Sequence, residues 1–289
     1  MPNKPGLQCP VEHLVKPAVA PAMSSQLQFP ITSLQTLRRS LKQQLVLPMC
    51  EHAPTSDVED MAEPDSLASL SNLFRKGGII HDEGSTPNAN GRWFISTVDA
   101  STALKQLPGI GLKPNYCLVT YLYRTRRANT NHGSSVTWAM ANQLSTTSNL
   151  EAALTTAADH NTPPYPEGAL SNYMTAITGN LTAGSFLIAS ILQRELQEFG
   201  RCGKFHRWEH HRLIGSVPQQ RQWRWRMAQP KSLTPTVHKL SDGKTAVEFY
   251  TCRIVPPIGI FHHIDRYPAN SYVAKASDQA IAAVTRKAP

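Results

Sequence analysis

Cys202, His206 and His210 follow one another at intervals of four residues. On a helix that interval stacks side chains on one face, and a thiolate with two imidazoles is a donor set suited to zinc. Cys252, His262 or Asp265 would supply a fourth ligand after folding. Gly200 and Gly203 argue instead that a helix has ended before this stretch. Six of the eleven histidines lie beyond residue 200: His206, His210, His211, His238, His262 and His263. His211 or His263 beside Asp265 or Glu209 would make a general base. Cys202 beside His206 would make an activated thiol. The plainer reading is loop and strand histidines hydrogen-bonded to backbone or carboxylates. The sequence carries no G-x-S-x-G, Walker A, HExxH or GxGxxG pattern to fix a reaction.

The second chemical feature is charge. The 289 residues carry 29 Lys and Arg against 20 Asp and Glu, a formal net charge of +9. Residues 201–289 hold 15 of the basic residues and 5 of the acidic ones, so the excess lies wholly in the last third. Within it, Gln222–Ala228 alternates: Trp223, Trp225 and Met227 share one face, Arg224 and Arg226 the other. Guanidinium forks suit phosphate oxygens. With Arg221 and Lys231 close by, and Lys244 and Arg253 further on, these arginines form a candidate anion-binding face. Base stacking would require the two indoles to be exposed, whereas the alternation assigns them to a core. No RNP sequence, KH loop or zinc-finger spacing accompanies them.

The elements that must position these residues follow from periodicity. Leu34, Leu37, Leu41 and Leu45 make one apolar stripe, so residues 30–47 read as an amphipathic helix with Ser33 as N-cap and Arg38, Arg39 and Lys42 on its solvated side. Residues 1–29, rich in proline, read as a disordered tail. Residues 48–65 read as an acidic linker, because Glu51, Asp57, Glu59, Asp60, Glu63 and Asp65 face no compensating base and little apolar surface. The first helix is then tethered rather than integral, and the linker is free to shield the basic face.

From residue 66 to 289 the pattern is that of a single α+β domain: a mostly antiparallel sheet packed with helices, its C-terminal third basic. Ser66–Phe74 reads as a short helix and Arg92–Val98 as a strand. Asp99 caps a short helix that runs to Leu107. Tyr116–Tyr123 is apolar on both faces and reads as a central strand that returns through a turn at 129–133. Ser148–Glu151 is a capping box. Ser185–Phe199 is a helix stopped by Gly200. Thr236–Leu240 and Lys244–Val255 form a hairpin about Asp242-Gly243.

Five cysteines, widely spaced and without CxxC, oppose a disulfide framework. The proline-broken N-terminus holds no signal-peptide core, and Met23 is an alternative start. The longest apolar run, around Phe186–Leu192, is too short to span a membrane. These features predict a cytoplasmic protein. At residues 192–200, 207–214 and 249–268 (LQRELQEFG, RWEHHRLI, FYTCRIVPPIGIFHHIDRYP) the chain loosely resembles uncharacterised proteins of cyanobacteria, over roughly 66–268. The resemblance implies a soluble, cytoplasmic protein and assigns no residue a role. The expected function is non-catalytic binding of an acidic protein or nucleic acid by the basic face, without a cofactor. The alternative is a small, zinc-dependent enzyme built on the histidines.

Overall fold

In the computed structural model, residues 23–52, 91–127, 130–219 and 221–284 are described. The expected helix at 66–74 and most of the acidic linker lie outside them.

The largest sheet has the order β1 (Met23–Gln28), β9 (Thr236–Leu240), β10 (Thr245–Arg253), β11 (Gly259–Tyr267), β12 (Lys275–Val284), β8 (Trp223–Trp225). Every pairing in it is antiparallel, and the short β7 (His211–Leu213) joins the far end of β10. A second sheet runs β2 (Arg92–Ile95), β4 (Tyr116–Arg127), β5 (Thr130–Ala141), and β3 (Ile110–Leu112) pairs with β6 (Ile177–Gly179). With helices between and outside these sheets the class is α+β, as the interleaved hairpins predict.

β4 is the centre of its sheet. Leu118 and Leu122 enter the main core; Val119, Tyr121 and Tyr123 enter a second one on the opposite face. The strand continues to Arg127 and its partner starts at Thr130, so residues 130–133, expected in the turn, belong to β5. Helix α3 (Thr147–Thr155) covers the second core with Leu150 and Ala153. Its N-cap is Thr146, which accepts from Asn149 N; the capping box at Ser148 lies inside the helix. Asp99 does cap its helix, a single 3₁₀ stretch at Ala100–Leu104.

Helix α4 (Ala183–Glu198), capped by Thr182, contacts β9 and β10 of the large sheet on one side and β5 on the other. Twelve of its sixteen residues are buried, which explains why its apolar pattern is broader than one stripe. Gly200 ends it with φ +79°, where a Cβ would strike Leu122.

Three features correct the reading of the N-terminal part. Met23–Gln28, expected in the tail, is a strand in register with β9, Gln28 opposite Thr236. Helix α1 (Ile31–Gln44) starts after Pro30, with Ser33 exposed inside it and no side-chain cap. Its stripe is buried as expected at Leu34 and Leu41, but Arg38 is buried with them and α1 packs on α4. The helix is integral. Residues Met49–His52 form a helical turn, α2, in which Glu51 is 1% exposed and accepts from Ser96 Oγ (2.7 Å) and Thr97 N (2.6 Å). Glu51 is therefore a core group, engaged away from the basic face.

Candidate functional site

The large sheet ends in two adjacent cross-strand rows. In one, Arg212, Cys252, Ile260, Ala282 and Trp225 lie side by side across β7, β10, β11, β12 and β8; in the next, His211, Arg253, Gly259, Ala283 and Arg224 do. Residues of one row share a face, so Arg253 and Arg224 point the same way, three strand steps or about 14 Å apart. The indoles behave as the alternation predicts. Trp223 and Trp225 pack with Leu233, Tyr250, Ile260 and Ile281 on the opposite face, and Trp223 Nε1 donates to Pro218 O (2.7 Å). Met227 does not follow them: the strand stops at Trp225, and Met227 is 38% exposed.

Arg221, Arg224, Arg226 and Lys231 are all exposed. Arg226 is fixed through its backbone N, which donates to Ile281 O (2.9 Å). Arg221 lies close enough to Cys252 for its charge to pull that thiol down against the stronger upward push of burial. Arg253 likewise opposes a charge on His211. Among the described residues, none of these five cations is paired with a carboxylate.

The histidines near this end form a chain of hydrogen bonds. Asp278 Oδ1 lies 2.7 Å from His263 Nδ1, His263 Nε2 2.8 Å from Thr251 Oγ1, and Thr251 Oγ1 2.8 Å from His211 Nδ1. An ionised carboxylate only accepts, which fixes the proton on His263 Nδ1. With His263 neutral, Thr251 donates to its Nε2 and His211 Nδ1–H donates to Thr251. His211 Nε2 is thereby left unprotonated. Burial, reinforced by the charge His263 carries when protonated and by Arg253 and Arg38, lowers the His211 pKa to about 3. Burial also lowers that of His263, against the pull of Asp278. Such a His211 is neutral but a weak base, far from the match to neutral pH that efficient proton transfer needs.

The expected partners differ from those observed. Asp265 lies near enough to His263 for its charge to act on the ring, but it is hydrogen-bonded elsewhere: fully buried, it takes a bidentate pair from Arg194 (2.6 and 3.0 Å), whose Nη2 also reaches Asp278 (2.9 Å). Glu209 pairs with Lys42. The carboxylate that sequence reasoning missed is Asp278, brought to His263 by the β11–β12 register.

The Cys202, His206, His210 spacing does not lie on a helix. Gly203–Phe205 and Trp208–His210 are separate 3₁₀ turns, and Cys202 is bridged to Gly133. His206 and His210 are near neighbours, with ring centroids 5.9 Å apart, and His206 Nδ1 faces Glu198 at 3.7 Å. Among the described residues no group of three or more His, Cys, Asp and Glu is arranged to hold a metal ion. None of their helices is long and apolar enough to cross a membrane. No protein-family model, curated protein or solved structure matches the chain.

Proposed function

We propose that the protein binds the phosphate backbone of a nucleic acid with the basic end of its large sheet. The observation that carries this reading is the set Arg221, Arg224, Arg226 and Arg253, unpaired with carboxylates among the described residues and placed at or beside the end of β10 and β8, with Lys231 exposed five residues beyond Arg226. Guanidinium groups offer planar donor forks to phosphate, and neutralising phosphates releases counterions. The inward Trp223 and Trp225 favour backbone contact over base stacking. The reading takes the protein to be cytoplasmic, non-catalytic and without a cofactor in this role.

Fluorescence anisotropy with single- and double-stranded oligonucleotides over a salt series tests it. Binding should weaken as salt rises. Arg224→Ala with Arg226→Ala should reduce the slope of log K against log salt on duplex by about two contacts, roughly 0.9 each. The loss should be similar for unrelated sequences. Absence of binding at low salt, a slope untouched by the double substitution, or displacement by polyglutamate at far lower charge concentration than nucleic acid would each overturn it, the last in favour of an acidic protein.

A further inference from the structure

A cavity of about 280 Å³ lies where the C-termini of α1 and α4 meet β4 and the 200–209 segment. It is smaller than the roughly 300–1,000 Å³ typical of drug-sized ligands, so it suits a small one. Its lining holds Lys42, Arg124 and Arg201 against three glutamates, but the ion pairs are unevenly distributed. Of its three carboxylates, Glu195 accepts from Arg38 Nε (2.6 Å) and Trp208 Nε1 (2.5 Å). Glu198 accepts from the backbone N–H groups of Arg207, Trp208 and Glu209 (2.8–3.2 Å). Glu209 is paired with Lys42. The carbonyls of Glu195 and Glu198 at the end of α4 accept from Phe199 N and Arg201 N.

Two arginines of the lining stand outside these ion pairs, with Glu198 acting on Arg201 only through its charge. Arg124 is 1% exposed, and among the described residues its guanidinium donates to carbonyls, those of Glu51 (2.7 Å), Tyr123 (3.1 Å) and Ser134 (3.4 Å). Carbonyls satisfy hydrogen-bond donors without neutralising the charge. Arg201, which also lines the cavity, has a buried Nε without a hydrogen-bond partner among the described residues. Among the described residues neither arginine has a carboxylate within ion-pair distance. Burial lowers the pKa of both guanidinium groups, the direction expected of cations removed from water without full compensation. A buried, unsatisfied polar group beside an open volume marks a place for a missing partner.

We infer that this cavity is a binding site for a small phosphate-bearing molecule, whose oxyanion Arg124 and Arg201 hold between them. Planar guanidinium forks on the wall of a partly open cavity match a tetrahedral oxyanion. Cys202 also lines the cavity and reports on its occupancy. A Cβ on Gly133 would overlap Arg124 Nη1 and sit 2.7 Å from Cys202 Sγ, so the thiol and the guanidinium flank the same glycine.

Inorganic phosphate is the probe. Titration calorimetry at constant ionic strength on the full chain should show saturable binding at millimolar or lower concentration. Alkylation of Cys202 by iodoacetamide, followed by peptide mass mapping, should slow as phosphate saturates. Arg201→Gln, at a partly exposed position that tolerates the change, should weaken phosphate binding at least about tenfold while circular dichroism stays unchanged. Arg224→Ala with Arg226→Ala should leave phosphate binding intact, which separates this site from the nucleic-acid face. No saturable binding, equal affinity in Arg201→Gln, or binding without protection of Cys202 would overturn the assignment.

Discussion

Arg38→Met removes the cation that ties α1 to the rest of the fold. Arg38 is 7% exposed, donates from Nε to Glu195 (2.6 Å), from Nη2 to Trp208 O (3.0 Å) and from Nη1 to His211 O, and its guanidinium lies 4.6 Å above the Trp208 ring. Methionine keeps much of the volume, so the loss is electrostatic. Orphaning one half of a buried ion pair costs about 3–5 kcal/mol. Two carbonyls also lose a charged donor, so the upper half of that range is expected, against a total stability of about 5–15 kcal/mol. Urea unfolding followed by tryptophan fluorescence at pH 7 measures it. Burial already raises the Glu195 pKa, against the pull of Arg38. Without Arg38 it rises further. The native variant then binds a proton more readily than its unfolded chain, and the gap from wild type narrows as pH falls from 8 to 5. Adding Glu195→Gln, which retains an oxygen for Trp208 Nε1, should restore more than half of the loss. A cost below about 1 kcal/mol would refute the integral role of α1. A gap that does not narrow with pH, or no recovery in the double variant, would refute the orphaned carboxylate as its cause.

Stability should also decline as pH falls from about 6.5 towards 3, because His211 titrates near 3 when folded and near 6.5 when unfolded. Its contribution is full above 6.5 and is lost across that window. At 1.36 kcal/mol per unit the ceiling is about 5 kcal/mol, and partial exposure reduces it to roughly 2. His211→Phe keeps the ring against Trp208 and Phe261 and should flatten the decline in a pH series of urea midpoints; an unchanged series would reject this source. Gly200→Ala should cost about 2 kcal/mol or more, from a left-handed backbone and a Cβ against Leu122, and a melting temperature within a degree of wild type would contradict it.

Much of this fold is local in origin and therefore readable. Tyr116–Tyr123 declares two buried faces by composition alone, and the Asp242-Gly243 turn, with Gly243 at φ +79°, sets the β9–β10 hairpin. What escaped the sequence depends on distant partners. Nothing near Arg38 reveals Glu195, 157 residues away, so a basic residue beside a leucine stripe reads as solvated. His263 meets Asp278 only because β11 and β12 pair in one register. The zinc spacing fails for a local reason that was visible: glycines at 200 and 203, with φ +79° and +59°, break the helix that intervals of four require. At Thr146 and Ser148 two overlapping capping patterns compete, and the earlier one sets the start of α3.

The buried charge network also bears on the basic face. Glu195 joins Arg38 to Trp208 Nε1, and the Trp208 ring stacks on His211 and meets His263 edge-on. His211 sits opposite Arg253 in the last cross-strand row of β10, and that row ends at Arg224. The strand position of Arg253 is thus braced by α1 and α4 through Trp208 and His211, and Arg224 shares its row on β8, whereas Arg221, Arg226 and Lys231 lie outside the strands. Groups held on strands lose less freedom on binding than groups on connecting segments. Arg253 and Arg224 therefore fit a role in setting the register of a bound backbone, with the three flanking cations adding salt-dependent attraction. On this division of labour, loosening α1 acts at a distance on register while leaving the long-range attraction in place.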